Sequence, residues 1–150
     1  KGIVLASNQV EYSLLNRKIE SNGVMEMAKK LGVTIIAYSP LAQGMVTGKF
    51  HDHPELLKNI GMRKYRAQFK REGMEKSKPL INFIKELALK YEATPSQIAL
   101  NWLIHFHSHT VVAIPGATKE NHAKENTGAL SFKLSDEDMD RLDKSSAQFK

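Results

Sequence analysis

The chain has 150 residues, the size of one ordinary domain, and its 41% hydrophobic and 25% charged content is that of a globular protein with a buried core, which excludes collagen-like and low-complexity chains. The absence of cysteine excludes a disulfide-stapled scaffold, a cysteine-ligated zinc site, an iron–sulfur cluster and a cysteine nucleophile. A formal net charge of +6 favours anionic partners, nucleotides and phosphorylated cofactors among them.

The apolar run Ile3-Val4-Leu5-Ala6 passes into Ser7-Asn8-Gln9, which predicts a buried strand over Gly2 to Val10. Asn22-Gly23 breaks the chain. Val24, Met27, Ala28 and Leu31 then recur at helical spacing, and Gly32 stands where a helix C-terminus prefers glycine. Val33 to Tyr38, nearly all apolar and β-branched, predicts a strand buried on both faces of a parallel sheet. From Ser39 to Ser77 no periodicity is sustained while Arg63, Lys64, Arg66, Lys70, Arg71 and Lys76 accumulate, so a long basic loop is expected, a candidate lid.

From Pro79, the residues Leu80, Ile81, Ile84, Leu87, Ala88 and Tyr91 fall on one helical face. Thr94-Pro95-Ser96-Gln97 has the form of a capping box and opens a second helix carrying Ile98, Ala99, Trp102, Leu103 and Phe106. Val111 to Ile114 predicts a third short strand, ended by Pro115-Gly116, with Thr118 as the cap of a helix from Lys119 to about Ala129. Ser135 caps a last helix with Met139, Leu142 and Ala147 on its inner side. Strand-then-helix units at this rhythm indicate a parallel α/β fold. No apolar stretch approaches the roughly 18 residues of a membrane span, and residues 1–9 lack the apolar run of a secretory leader, so a soluble, cytoplasmic protein is expected.

Parallel α/β folds bind ligands at the carboxyl ends of their strands, where loops and helix N-termini present backbone N–H groups to anions. Here those ends carry Ser7-Asn8-Gln9, Tyr38 to Gly44 with Thr47-Gly48-Lys49 beyond, and Ile114 to Lys119. They offer an amide, a ring to stack on, and lysines for phosphates, which suits a dinucleotide. His51 with His53, and His105, His107 and His109, form no helical face with a carboxylate pair, so no metal site is expected. Only Tyr65 and Phe69 lie among the basic residues near Lys70, and no nucleic-acid motif accompanies them.

The blocks SNQVEYSLLNR, IIAYSPLAQGMVTGKF, TPSQIALNWLI and AIPGATKENHAKENTGAL resemble, in sequence and spacing, the aldo-keto reductase family, in particular members with the SPLAQG/TGK pattern such as plant aldo-keto reductases and potassium-channel beta subunits. The resemblance covers essentially the whole chain. It implies an α/β fold that is the C-terminal part of a (β/α)8 TIM barrel, about strands six to eight and their helices, in one domain over residues 1–150. It also implies binding of NADP(H) and reduction of aldehyde or ketone carbonyls, with a small carbonyl substrate as partner, no nucleic acid and a possible homo-oligomer.

Carried residue by residue, the resemblance puts Gln9 on the nicotinamide carboxamide and Tyr38 against the ring. Ser39, Pro40, Leu41, Ala42 and Gly44 would line the pyrophosphate, with Lys49 supplying charge and Arg63 reaching in from the loop. Gly116, Thr118 and Lys119 match the phosphate and ribose segment, and His122, Glu125 and Asn126 match positions around adenine and its ribose phosphate. His122 stands where the family often has Arg or Gln. Nothing matches the family's catalytic Asp, Tyr, Lys and His, so the chain by itself is expected to lack the tetrad. The alternative is a catalytically silent nucleotide-binding partial barrel or a channel-type regulatory module.

Overall fold

The computed structural model describes residues 2 and 4–150. Three parallel strands, β1 (Ser7–Glu11), β2 (Thr34–Tyr38) and β3 (Val111–Ala113), form one sheet in the order β1-β2-β3. The register pairs Gln9 with Ile36, Glu11 with Tyr38, and Ile36 with Val112. Side chains alternate along a strand, so Gln9, Ile36, Tyr38 and Val112 share one face while Ile35, Ala37 and Val111 point into the core on the other. The first face carries no helix among the described residues, and Val112 and Ile114 are each 46% exposed on it.

The strand expected from Gly2 begins only at Ser7. Gly32 ends the preceding helix in the left-handed region at φ 65°, so β2 cannot pair before Thr34, whose N–H reaches Ala6 O at 3.1 Å. Val4 and Leu5 therefore have no ladder and stand exposed, and the part of that expectation resting on Ile3 lies outside the described residues. An apolar run needs a neighbouring strand as well as the right side chains.

After the turn α1 (Lys18–Ser21), helix α2 (Val24–Leu31) has the predicted limits. Its buried residues are Met25 and Ala28, whereas Met27 and Leu31, expected inside, are exposed because α2 packs against α1 and β2 on one flank only. The stretch after β2 is not irregular. Tight 3-10 turns over Ala42–Thr47, Pro54–Asn59, Gly61–Tyr65 and Ala67–Phe69 alternate with α3 (Lys49–Asp52). Helix α4 (Arg71–Lys90) starts eight residues before Pro79. The proline sits inside the helix on its exposed side, where the carbonyl left without an N–H partner is open to water.

Helix α5 (Pro95–His105) carries the predicted box: Thr94 Oγ1 accepts from Gln97 N at 3.2 Å, and Gln97 Oε1 accepts from Thr94 N at 2.9 Å. Helix α6 (Glu120–Gly128) begins after Lys119, which corrects Thr118 as the cap; no side chain among the described residues caps it. Ser135 caps α7 (Asp136–Ser145) as expected, accepting from Asp138 N at 3.2 Å, while Ala147 lies in a terminal turn, Ala147–Phe149. The helices cover the inner sheet face around Met45, Phe50, Leu80, Ile84, Leu87, Ile98, Trp102 and Leu103, each such side chain worth roughly 2 kcal/mol by area. No helix is long and apolar enough to cross a membrane.

Two charged residues among those described, Arg17 and Asp138, are fully buried, and Arg17 joins the most parts of the chain. Arg17 uses all five of its N–H donors: Nε and Nη2 grip Glu20 at 2.8 and 2.6 Å, Nη2 also reaches Asp143 Oδ1 at 2.5 Å, and Nη1 donates to Asp143 O at 2.9 Å and Ser146 Oγ at 2.7 Å. Its guanidinium carbon lies 4.7 Å from the Trp102 ring and 5.2 Å from that of Phe106, and its backbone N–H donates to Phe149 O at 2.8 Å. Tyr12 donates to Glu20 Oε1 at 2.5 Å. Burial and the Glu20 carboxylate push the Tyr12 hydroxyl far up.

Burial opposes ionisation of Glu20, but the His107 ring, 3.6 Å away and beyond hydrogen-bond reach, together with Arg17 and Tyr12 holds its carboxyl down at about 2 from the ordinary 4.5. A carboxylate depressed on folding stabilises the fold fully above pH 4.5 and loses that contribution as the pH falls towards about 2. Asp143 is shifted the same way: burial resists, and Arg17 and Lys150 prevail. Urea titrations across this range should show stability falling with acid. In Glu20→Gln the fall should be shallower and the stability at neutral pH lower by on the order of 3 kcal/mol; parallel pH profiles for the two proteins would contradict this account.

Candidate functional site

The carboxyl ends of β2 and β3 open into a cleft of about 620 Å³. One wall is the turn after β2, with Ser39, Pro40, Leu41, Gln43, Gly44 and Thr47, continued by Lys49 of α3. The opposite wall comprises Ile114, Pro115 and Gly116 after β3, then His122, Glu125 and Asn126, whose spacing places them on one face of α6. Pro95 and Ser96, at the first turn of α5, close the remaining side.

The turn after β2 is bent by left-handed backbone. Ser39 (φ 50°), Ala42 (φ 47°) and Gln43 (φ 56°) adopt it despite their side chains, at about 1–2 kcal/mol each, and Gly44 (φ 89°) adopts it without that cost. A Cβ at Gly44 would stand in ordinary van der Waals contact, 3.4 Å from Lys49 Cε and 3.5 Å from its Nζ, so the positive φ and not a lack of space favours glycine there. The Lys49 ammonium thus lies across the turn at the cleft wall, 4.9 Å from the Phe50 ring centre. Helix α3, which carries Lys49, is pinned to α4: His51 Nε2–H donates to Met74 O at 3.2 Å, and Lys85 donates to Asp52 at 2.5 Å. Burial lowers the His51 pKa, and the nearby Lys85 and Lys78 act in the same direction, which keeps the ring neutral at that contact.

The α5–α6 wall is tied by the capping box itself. The Thr94 hydroxyl that caps α5 donates in turn to Glu125 Oε1 at 2.8 Å, and Gln97 Nε2 donates to Glu125 O at 3.1 Å. The two helices come so close that a Cβ at Gly128 would fall 2.2 Å from Gln97 Nε2. Glu125 is therefore a fixed carboxylate facing Lys49's side of the cleft, with exposed His122 one turn before it.

Of the residues expected from the sequence, Ser39, Pro40, Leu41, Gly44, Lys49, Gly116, His122, Glu125 and Asn126 line this one cleft. Ala42 does not: its side chain is buried, and its carbonyl accepts from Gln68 Nε2 at 3.0 Å. Gln9 and Tyr38 lie together on the open sheet face beside the cleft, Tyr38 at the very end of β2. Thr118 and Lys119 stand exposed at the entry to α6, outside the lining. Arg63 reaches the rim, making long hydrogen bonds of 3.4 Å to Gln43 O and Ile60 O.

Gln43, Thr47, Ile114 and Pro115, named within the strand-end segments but given no individual role, also line the cleft, as do Pro95 and Ser96. Pro95 and Ser96 were legible only as helix caps. Arg66 was also missed; with the Gln43 amide oxygen turned towards it, Arg66 Nη1 donates to that oxygen at 2.8 Å. The histidines are dispersed, His105 on Asn101 O and His107 near Glu20, and no three metal-ligating side chains gather among the described residues.

The aldo/keto reductase family model matches residues 1–147, and the chain belongs to that family. It is similar to probable aldo-keto reductase 1 of Glycine max, with 37% identity over 134 residues that make up 87% of this chain and 37% of that protein. An aldo/keto reductase of Klebsiella pneumoniae, solved with NADP and acetate, superposes with a TM-score of 0.62 at 29% identity over 93% of this chain and 38% of its own. The glycerol dehydrogenase of Gluconobacter oxydans shares the fold at a TM-score of 0.84 and 24% identity, over 98% of this chain and 44% of its own. The chain thus spans about two fifths of the length of the relatives it matches.

Thr94 links stability to the site. Thr94→Ala should lower stability by about 1 kcal/mol, with Thr94→Ser close to the parent, in thermal melts. Equal melting of the alanine and serine variants would remove the hydroxyl from this role.

Proposed function

We propose that the chain is the cofactor-binding C-terminal part of a (β/α)8 barrel, about strands six to eight with their helices in a single domain, and that the complete protein reduces aldehydes and ketones with NADPH. The observation that carries this is the convergence of nine expected contact residues on one cleft, with the Lys49 ammonium lying over Gly44 on one side and Glu125 held by Thr94 on the other. The open sheet face supports the barrel: Ile36, Val112 and Ile114 carry apolar side chains on the side that faces the interior of a closed barrel, where they would be packed.

The residues present fit a dinucleotide. The Lys49 side chain lies against Gly44, and a Cβ at Gly116 would meet nothing within 4 Å, so a phosphate can lie close to the Gly116 backbone with the Lys49 ammonium on the opposite wall. Ser39, Pro40, Leu41, Ala42, Gly44 and Lys49 hold the pyrophosphate, with Ala42 contributing backbone, while Arg63 contributes charge from the rim. Gly116, Thr118, Lys119 and His122 take the ribose and its phosphate at the uncapped start of α6, whose first N–H groups favour an anion. Glu125 and Asn126 take adenine. Gln9 and Tyr38, on the same sheet face with Tyr38 two residues beyond the register partner of Gln9, orient the nicotinamide by its carboxamide and ring.

When bound, the reduced nicotinamide supplies a hydride to the carbonyl carbon. This chain orients the ring and excludes water from it. The proton for the carbonyl oxygen comes from the family's acid on earlier strands, so the 150-residue chain alone is catalytically silent. A catalytically silent nucleotide-binding partial barrel or regulatory module is the second reading.

NADPH titrated into the full-length protein and followed by its fluorescence tests the assignment. Lys49→Ala should weaken binding about tenfold, the loss of one charge-assisted contact, and Tyr38→Ala should weaken it further when combined. Unchanged affinity in the double variant would remove the cofactor site from this cleft; binding without carbonyl turnover by the full-length protein would favour the regulatory reading.

A further inference from the structure

The net charge of the sequence is concentrated in one stretch. Residues 58–78 contain eight Lys and Arg against two Glu, so this segment carries +6, equal to the formal net charge of the entire chain. The remainder is neutral in sum. The same stretch displays its apolar side chains outward: Met62 is 81% exposed and Tyr65 is 64% exposed, with Leu56 beside them at 38%. The turns that hold them, Pro54–Asn59 and Gly61–Tyr65, contact each other, α3 and the turn leading into α4.

The segment has two sides. Arg63 and Arg66 turn inward to Gln43 at the cleft rim, whereas Lys58 and Lys64 are exposed, Lys64 Nζ lying 5.2 Å from the Tyr65 ring centre. Outward cations surrounding an exposed thioether and a phenol have the composition of an interfacial anchor, in which ammonium groups meet anionic headgroups while Met and Tyr enter the boundary below them. A single-stranded nucleic acid would be served by planar stacking residues along a groove. The most exposed apolar group here is Met62, which has no ring, and Tyr65 is the one exposed aromatic in the segment.

We infer that residues 54–70 form a docking surface for the anionic face of a lipid bilayer, holding the protein at the membrane surface without spanning it. The attraction is electrostatic at long range and therefore weakened by salt, and the Met62–Tyr65 insertion makes it outlast simple charge pairing.

The test is co-sedimentation of the full-length protein with vesicles of phosphatidylcholine alone and of phosphatidylcholine mixed with phosphatidylserine, at low and high salt. The expected result is binding to the mixed vesicles only, reduced by salt, lowered more than tenfold in Lys58→Glu/Lys64→Glu and lowered several-fold in Met62→Ser/Tyr65→Ser. These positions are exposed and lie outside the cleft lining, so the melting temperature and NADPH affinity of both variants should match the parent and report failure of folding or of the cofactor assignment separately. Absence of binding to anionic vesicles, equal binding to neutral ones, or indifference of binding to both double variants would overturn the inference. So would binding to a single-stranded oligonucleotide at the same salt without binding to vesicles.

Discussion

The Arg17 guanidinium is the constraint on which the rest of the structure depends. A buried cation is tolerable only when each donor is matched, and here the matching groups come from four parts of the chain: Glu20 from α1, Trp102 and Phe106 from α5 and its end, Asp143 from α7, and Ser146 with Phe149 from the terminal turn. The exit from β1, the long axis of α5 and the last helix are thereby fixed against one another. Removing either carboxylate would leave the desolvated charge with donors unmatched, which makes the cluster more specific in geometry than an apolar plug of the same volume.

Helix α5 transmits that constraint to the cleft. Its C-terminal half lies against Arg17 through Trp102, and its N-terminal residues Pro95 and Ser96 form part of the cleft wall. Between them the core residues Ile98 and Leu103 anchor it beneath β2 and β3. Thr94 and Gln97 then carry the position of α5 across to α6, so that Glu125 is oriented from behind by groups that do not themselves line the cleft. On the far wall the same division holds: α3 presents Lys49 while His51 and Asp52 fasten it to α4.

Local signals in the sequence carried much of this. The limits of α2, its left-handed Gly32, the capping box before α5 and the Ser135 cap are each set by neighbours within four residues, and all stand where the pattern put them. What depends on distant partners was illegible. Residues Arg71 to Lys78 bury only Ser77, and the helix there exists because the turn Ala67–Phe69 packs on its first residues, so tightly that a Cβ at Gly73 would fall 2.2 Å from Ala67 O. Val4 and Leu5 looked like strand because their side chains suit one, yet no strand lies beside them. The cleft was legible chiefly through resemblance, and the contribution of α5 to it was not, because Pro95 and Ser96 are complete as helix-start residues without any ligand. Arg17 itself carries no mark in the sequence that sets it apart from the other basic residues.

The separation of the partners within the Arg17 cluster has a kinetic meaning. Glu20 is three residues away and pairs as soon as α1 turns, but Asp143 and Ser146 lie 126 and 129 residues further along the chain. During synthesis the guanidinium is therefore made long before the groups that satisfy its remaining donors, and the pocket between Trp102 and α7 can close only after nearly all of the described chain is present. Closing so long a loop is slow relative to forming local turns. The β1 exit and the C-terminal helix can therefore lock together only after that last helix has been made.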